Sequence, residues 1–167
     1  SEAQREKYLP GLISGDQVIP LITSNVSVMA IEPEGNPLAD WLDSHRRFLA
    51  LPDDVLVLPA HNTPFHGLHT RLRHLIAHHE DHLAALEEAC VTPSTARELL
   101  PVIFRRKLDA EQTAMALGEC IAHLNFLLHA GRVRRELGGD GLHRYIAVDP
   151  AVAARTGTVA HQRDDDP

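Results

Sequence analysis

The run Val55-Leu56-Val57-Leu58-Pro59-Ala60-His61 decides the fold class that the sequence predicts. It begins with four consecutive apolar residues and is closed by a proline and a histidine. Short continuous apolar runs followed by turn residues are typical of strands that are buried on both faces of a sheet. Such a strand over residues 55–58 indicates an α/β protein.

A second run of the same kind lies nearer the start of the chain, over residues 11–16, and ends at Asp16. Between the two runs, Asn36 as an N-cap and Pro37 as the first helical residue predict the start of a helix. A strand, a helix and a strand in this order predict a βαβ unit. Open α/β sheets place their sites at the carboxyl ends of strands, so Asp16 and His61 are the candidate site residues.

The rest of the chain predicts helices followed by a hairpin. One long helix is expected over residues 68–90, and Thr92 is expected to cap the next helix. Asp109-x-x-Gln112 resembles a capping box that begins a third helix. Alternating apolar positions on both sides of the glycine-rich turn at 138–141 predict a β-hairpin. Three helices followed by a hairpin is the element order of a winged-helix domain.

Charge is distributed unevenly along the chain. The formal net charge is −7, yet residues 91–148 carry 8 basic side chains against 6 acidic ones. This asymmetry indicates two units with different roles. We therefore expect a first domain over residues 1–67, a connecting helix over 68–90, a winged-helix-like domain over 91–148 and a C-terminal tail over 149–167.

Composition excludes several classes of protein. Apolar residues make up 44% and charged residues 23% of the chain, which is typical of globular domains. No apolar run is long enough for a transmembrane helix, and the first residues do not resemble a secretory signal. Cys90 and Cys120 are too few for a disulfide framework and are expected to be buried free thiols. We therefore expect a cytoplasmic protein without a membrane partner.

Two motifs carry a resemblance to a known family: Leu12-Ile13-Ser14-Gly15-Asp16-Gln17-Val18 and Val57-Leu58-Pro59-Ala60-His61-Asn62-Thr63-Pro64-Phe65. They resemble the metallo-β-lactamase fold superfamily, in the branch of glyoxalase II-like and lactamase-like-2 hydrolases. The helix with His78-His79 and the closing helical domain are similar to the C-terminal extension of the lactamase-like-2 branch. The resemblance implies the distal half of an αββα sandwich followed by a winged-helix domain.

The resemblance also implies a metal site. In the family, the first motif supplies an aspartate that bridges two metal ions and the second supplies a histidine to one of them, which implies these roles for Asp16 and His61. The implied cofactors are two divalent ions, with zinc first and iron or manganese as alternatives. A metal pair generates hydroxide near neutral pH, so the implied reaction is attack on an ester, thioester, lactam or phosphodiester.

The sequence departs from the family pattern at several positions. The family motif His-x-His-x-Asp-His does not occur in the 167 residues, and Ala60 and Asn62 replace the usual glycines beside His61. One carboxylate and one imidazole cannot hold two metal ions. We therefore expect the C-terminal part of a hydrolase, inactive by itself. Its exposed sheet would be covered by an N-terminal half or by a second copy in a homodimer.

Six of the 12 histidines fall between residues 66 and 82. His78 and His82 have the i, i+4 spacing that can bind zinc, but the surrounding residues are not a His-Glu-x-x-His motif. We favour a polar helix face with His79 packed on the apolar stripe, and adventitious metal at His78 and His82 is the alternative. Histidines on or near apolar helix faces, at positions 45, 123 and 129, are expected to be core or boundary residues.

Two other functions stay open from the sequence. Basic residues cluster in the third segment, at Arg105, Arg106, Lys107, Arg132, Arg134 and Arg135. They would suit a winged-helix module that binds nucleic acid, or they form a solvated surface. A structural or dimerisation protein without a metal site is the third alternative. The substrate, if there is one, is a small molecule or a nucleic acid.

Overall fold

A computed structural model describes residues 26–28, 30–59 and 63–149 of the chain. Within these residues there are four helices and one two-stranded sheet. They are α1 (Pro37–Phe48), α2 (Leu68–Ala89), α3 (Ala96–Ile103), α4 (Ala110–His129), β1 (Val133–Leu137) and β2 (His143–Ala147). The predicted strand over residues 11–16 and both candidate ligands, Asp16 and His61, lie outside the described residues.

The first two helices begin where the sequence predicts. The side chain of Asn36 accepts a hydrogen bond from the Ala39 amide at 3.3 Å, and Pro37 is the first residue of α1. The missing amide of a proline is not needed at that position. The second helix, α2, ends one residue short of the predicted range. The start of α1 is therefore determined by signals that lie within a few residues of it.

The third helix begins later than predicted. Thr95, not Thr92, is the N-cap of α3, and it forms a capping box with Glu98. The Thr95 side chain accepts from the Glu98 amide at 3.3 Å, while the Glu98 carboxylate accepts from the Thr95 amide at 2.8 Å. The residues before α3 cannot be helical, because Ser94 exchanges two backbone hydrogen bonds with Tyr145 of β2, at 2.8 and 3.2 Å.

Loss of this capping box gives a first testable result. Thr95→Ala is expected to lower the free energy of unfolding by about 1 kcal/mol, because the amide of Glu98 loses its acceptor. Urea unfolding followed by circular dichroism measures the change. Thr92→Ala is the matched control and should change stability by less than about 0.5 kcal/mol. Equal effects from the two substitutions would contradict the assignment of Thr95 as the cap.

The C-terminal hairpin and its preceding helix agree with the prediction. The Asp109 side chain accepts from the Gln112 amide at 2.8 Å and caps α4. Two antiparallel strands follow, with a register that runs from the pair Val133 and Ala147 to the pair Leu137 and His143. On its other side, β2 bonds to the segment between α2 and α3, where the Ala147 amide donates to the Cys90 carbonyl at 2.8 Å. The hairpin is thus anchored to the helices through β2.

The segment over residues 55–58 differs from the prediction of a strand buried on both faces. Only Val57 forms a bridge, with Phe65, and the pair is antiparallel. Val55 and Val57 pack against a small cluster formed by Leu68, Leu72 and Leu75 of α2. Leu56 and Leu58 are 56% and 74% exposed. Among the described residues only one face of this segment is covered, so burial on both faces is not observed there.

The main core joins all four helices to the hairpin. Leu38 and Leu42 of α1 lie in the same cluster as residues of α2, α3, α4 and both strands. The remaining members are Val26, Leu83, Leu86, Cys90, Leu99, Leu100, Ile103, Ala116, Cys120, Ala122, Leu124, Leu127, Val133 and Tyr145. Cys90 and Cys120 are buried free thiols, as predicted. None of the described helices has the length and apolar character needed to cross a membrane.

Candidate functional site

A buried polar cluster interrupts the apolar core where α1, α2 and α4 meet. Its polar side chains come from three helices that meet only in the fold. Residues His79 and His123 are fully buried, and Glu119 is 7% exposed. The other rings of the cluster are those of His45, His78 and His82.

A chain of hydrogen bonds fixes two of the imidazole rings. Nδ1 of His123 lies 2.8 Å from the backbone carbonyl of Glu119, one turn earlier in α4, and donates to it. In a neutral ring this leaves Nε2 of His123 as an acceptor. Nδ1 of His79 lies 3.0 Å from that nitrogen and donates to it. Each ring is therefore held in one tautomer by its neighbour.

Aromatic contacts extend the cluster to α1. The Trp41 ring stacks on His45 with centroids 3.6 Å apart, and it forms a T-shaped contact with the His79 ring at a centroid distance of 4.5 Å. Nδ1 of His45 donates to the Trp41 carbonyl at 2.9 Å. Nε2 of His45 and Nε2 of His79 are buried and have no hydrogen-bond partner among the described residues. The cluster therefore holds lone pairs in a site shielded from water.

Burial keeps the imidazoles of the cluster neutral. It is the largest cause that lowers the pKa of His79 to about 3, and the rings of His123, His78, His82 and His45 lower it further. Burial also lowers the pKa of His82 and of His123 to about 4. At neutral pH these rings are uncharged, so their free nitrogens can donate a lone pair to a Lewis acid.

A carboxyl group completes the cluster. Burial raises the pKa of Glu119 to about 7. One ligand-type atom each from His82, Glu119 and His123 can be chosen so that all three lie within 4.8 Å of one another. Two imidazoles and a carboxylate are a donor set that zinc and related ions bind. Among the described residues this is the group of side chains best suited to hold a metal.

The structure tests the predicted histidine pair but not the two predicted metal ligands. Asp16 and His61 lie outside the described residues, so their placement stays a prediction. His78 and His82 do lie side by side on α2, with ring centroids 4.2 Å apart. The histidines nearer the start of α2 serve the backbone instead, since His69 bonds the Leu51 carbonyl at 2.7 Å and His66 bonds the Asp54 carbonyl at 3.0 Å.

Comparison with known families and structures shows to which superfamily the chain belongs. Residues 83–148 match the family model of the metallo-beta-lactamase-like C-terminal domain. A beta-lactamase domain protein from Burkholderia ambifaria is similar over 76% of the chain, with 46% sequence identity and a TM-score of 0.74. The chain belongs to the metallo-β-lactamase superfamily.

A second structure of the superfamily gives a similar result. A metallo-beta-lactamase family protein from Thermus thermophilus is similar over 79% of the chain, with 32% identity and a TM-score of 0.63. The chain spans 38% and 40% of the length of these two structures. No significant match was found among curated proteins. The resemblance inferred from the sequence is thereby confirmed at the level of the superfamily.

Most basic residues on or near the hairpin of this chain are paired with carboxylates. Arg135 donates to both carboxylate oxygens of Glu34, at 2.8 and 2.9 Å, and Arg132 contacts the carboxylate of Glu87. Other pairs on the hairpin join Arg134 to Glu136 and Arg144 to Asp140. The positive charge of this region is therefore largely neutralised locally.

Sequence reasoning missed two members of the cluster. From the sequence, Glu119 is one surface charge among several and His123 is an ordinary core histidine. Their i, i+4 spacing on the apolar face of α4, next to Cys120 and Leu124, is the signal that could have found them. That a carboxyl group and an imidazole occur one turn apart on a buried face is unusual, because such groups need partners there.

Proposed function

We propose that this chain is the C-terminal part of a metal-dependent hydrolase of the metallo-β-lactamase superfamily, and that Asp16 and His61 are among its metal ligands. The observation that carries the proposal is the 46% identity over 76% of the chain to a beta-lactamase domain protein that is much longer than the chain. The substrate class is an ester, thioester, lactam or phosphodiester.

The donor set of the two predicted ligands suits such a site. The carboxylate of Asp16 has two oxygens and can bridge two ions, and the imidazole of His61 suits zinc, iron or manganese. When bound, a metal pair supplies a hydroxide near neutral pH and polarises a carbonyl or phosphoryl oxygen. Because two side chains cannot hold two ions, the remaining ligands come from a further segment of the protein or from a second copy.

The hydrolase proposal also assigns the two parts of the chain to two domains. We assign residues 91–148 to a winged-helix domain, since helices followed by a hairpin have that order, and the residues before α2 to the distal half of an αββα sandwich. Leu56 and Leu58 would then face the segment or the second copy that completes the sandwich.

Burial raises the pKa of Cys90 and Cys120 to about 12, and such inert thiols suit a cytoplasmic location.

Binding of nucleic acid by the hairpin region is the second candidate function. The excess of basic side chains over residues 91–148 favours it, and the ion pairs of Arg132 and Arg135 weigh against it. A salt-dependent gel shift with RNA and DNA tests it, and absence of a shift at low salt would remove it. A protein that only dimerises would show neither metal loss on substitution of Asp16 nor a shift.

Metal analysis of the full-length protein tests the hydrolase proposal. Asp16→Ala is expected to lower the metal content by two equivalents and to reduce hydrolysis of a model ester or phosphodiester by at least about 100-fold. Asp43→Ala is the matched control, because Asp43 is an exposed carboxylate of α1 paired with Arg47. Unchanged metal content in Asp16→Ala would contradict the proposal. The 167-residue chain alone is expected to show no turnover.

A further inference from the structure

Three potential metal ligands converge between α2 and α4. His82 projects from α2, whereas Glu119 and His123 lie one turn apart on α4. Their ligand-type atoms lie within 4.8 Å of one another. Two ligands on one tetrahedral zinc ion are about 3.3 Å apart, since each is about 2.0–2.1 Å from the ion. Closing this gap takes a shift of about 1.5 Å or less, which side-chain rotation can supply.

The backbone of α4 orients one of these ligands in advance. Nδ1 of His123 donates to the carbonyl of Glu119, so the lone pair on Nε2 faces the cluster. A hydrogen bond from the second ring nitrogen to a carbonyl is how proteins usually fix a metal-binding histidine. A metal at Nε2 would replace the hydrogen bond from His79, so we expect a site of moderate rather than very high affinity.

The surroundings of the other two ligands also favour a metal ion. Nδ1 of His82 is buried and has no hydrogen-bond partner among the described residues. The carboxyl group of Glu119 is nearly fully buried, and a buried carboxylate is stable only beside a compensating charge. A divalent cation would supply that charge. His82 is only partly buried and is the least buried of the three ligands.

We propose that His82, Glu119 and His123 form a binding site for one divalent transition-metal ion of the zinc class, which ties α2 to α4. The site is made of residues other than Asp16 and His61, so it goes beyond the proposed hydrolase function. Its role is to crosslink the two helices that form the centre of the core.

Zinc titration of the 167-residue chain tests this site. The chain would carry Asp16→Ala and His61→Ala, so that the ligands of the proposed hydrolase site are removed and failure of one proposal leaves the other unaffected. After treatment with EDTA and dialysis, we expect one equivalent of Zn²⁺ to bind, with an increase in the unfolding temperature. Co²⁺ should give the visible absorption of a tetrahedral nitrogen and oxygen site.

Four single variants in that background identify the ligands. His82→Ala and Glu119→Gln are expected to weaken Zn²⁺ binding at least tenfold and to remove the cobalt absorption. Matched controls are His74→Ala and Glu111→Gln, which change exposed residues on the same two helices and should leave binding within twofold. Circular dichroism without metal shows whether each variant is folded, and the half-buried His82 provides the variant least disturbing to the core.

Several results would overturn the proposal. The first is that the chain without Asp16 and His61 does not bind Zn²⁺. The second is that His74→Ala weakens binding as much as His82→Ala does. The third is that the His82→Ala and Glu119→Gln variants are folded and bind Zn²⁺ as tightly as the parent. The second of these results would assign the metal to the exposed histidines of α2.

Discussion

Acidification of the metal-free chain from pH 7 to pH 5 is expected to lower its free energy of unfolding by on the order of 3 kcal/mol. The cause is the buried histidine cluster. His79, His82 and His123 have a pKa of about 3 to 4 in the folded chain, against an ordinary value of 6.5. Below pH 6.5 the unfolded chain therefore binds more protons than the folded chain, and stability falls as the pH falls.

One neighbouring group has the opposite effect. Burial raises the pKa of Glu119 to about 7, so the folded chain holds this proton in the same pH range and gains stability as the pH falls. Burial also lowers the pKa of His45 and of His78, which adds to the loss. The loss from three histidines, less the gain from one carboxyl group, equals the loss from about two groups. Each group lowers the free energy of unfolding by at most about 1.4 kcal/mol per pH unit below pH 6.5.

Urea unfolding at both pH values, with EDTA present, measures this loss. A double variant, His79→Leu with His123→Leu, is the informative comparison. It removes both partners of a buried hydrogen bond together, so its stability at pH 7 should stay within about 1 kcal/mol of the parent, and its loss between pH 7 and pH 5 should shrink to less than about 1 kcal/mol. His74→Gln should keep the loss of the parent, and an equal loss in the double variant would contradict this explanation.

Asn125→Ala is expected to lower the free energy of unfolding by about 2–3 kcal/mol. The buried amide of Asn125 donates to the carbonyls of Pro33 and Gly35, both at 2.9 Å. These two residues lead directly into the N-cap of α1, so α4 fixes the position at which α1 enters the core. The substitution leaves both carbonyls without this donor and opens a small cavity.

Two further variants separate the hydrogen bonds from the cavity. Asn125→Asp keeps the volume but removes the donor, and it should destabilise the chain at least as much as alanine. His129→Ala removes an exposed hydrogen bond to the Glu34 carbonyl in the same loop and should change stability by less than about 0.5 kcal/mol. Fluorescence of Trp41, the single tryptophan of the chain, reports the position of α1. Equal effects of Asn125→Ala and His129→Ala would contradict the role of Asn125.

Local features of the fold could be predicted from the sequence, and contacts between distant residues could not. Asn36, Pro37 and Asp109 act at or next to their own positions, so their capping roles are visible in a few residues of sequence. The sequence favours Thr92 over Thr95 because it does not show that Ser94 pairs with Tyr145, a residue far along the chain. Which face of residues 55–58 is covered could not be assigned for the same reason, because coverage of a strand depends on elements elsewhere in the chain.

The candidate site shows the same limit. His79 and His82 on α2 meet Glu119 and His123 on α4 only because the two helices, which are distant in sequence, pack together. Composition and spacing indicate that α2 is rich in histidine, but not which of its histidines face another ionisable group. The family motifs at Asp16 and His61 led to the superfamily, while the described residues revealed a cluster that those motifs do not include.

The bonds of β2 on both of its sides affect how the chain can associate with other chains. Tyr145 and Ala147 pair with the Ser94 and Cys90 backbone, so this margin of the hairpin offers few free amides or carbonyls to an incoming strand. The opposite margin belongs to β1, whose side chains are mostly charged. Charged outer strands and covered margins are the means by which β-proteins avoid aggregation. Both margins of the hairpin are therefore poor templates for an incoming strand from a neighbouring molecule.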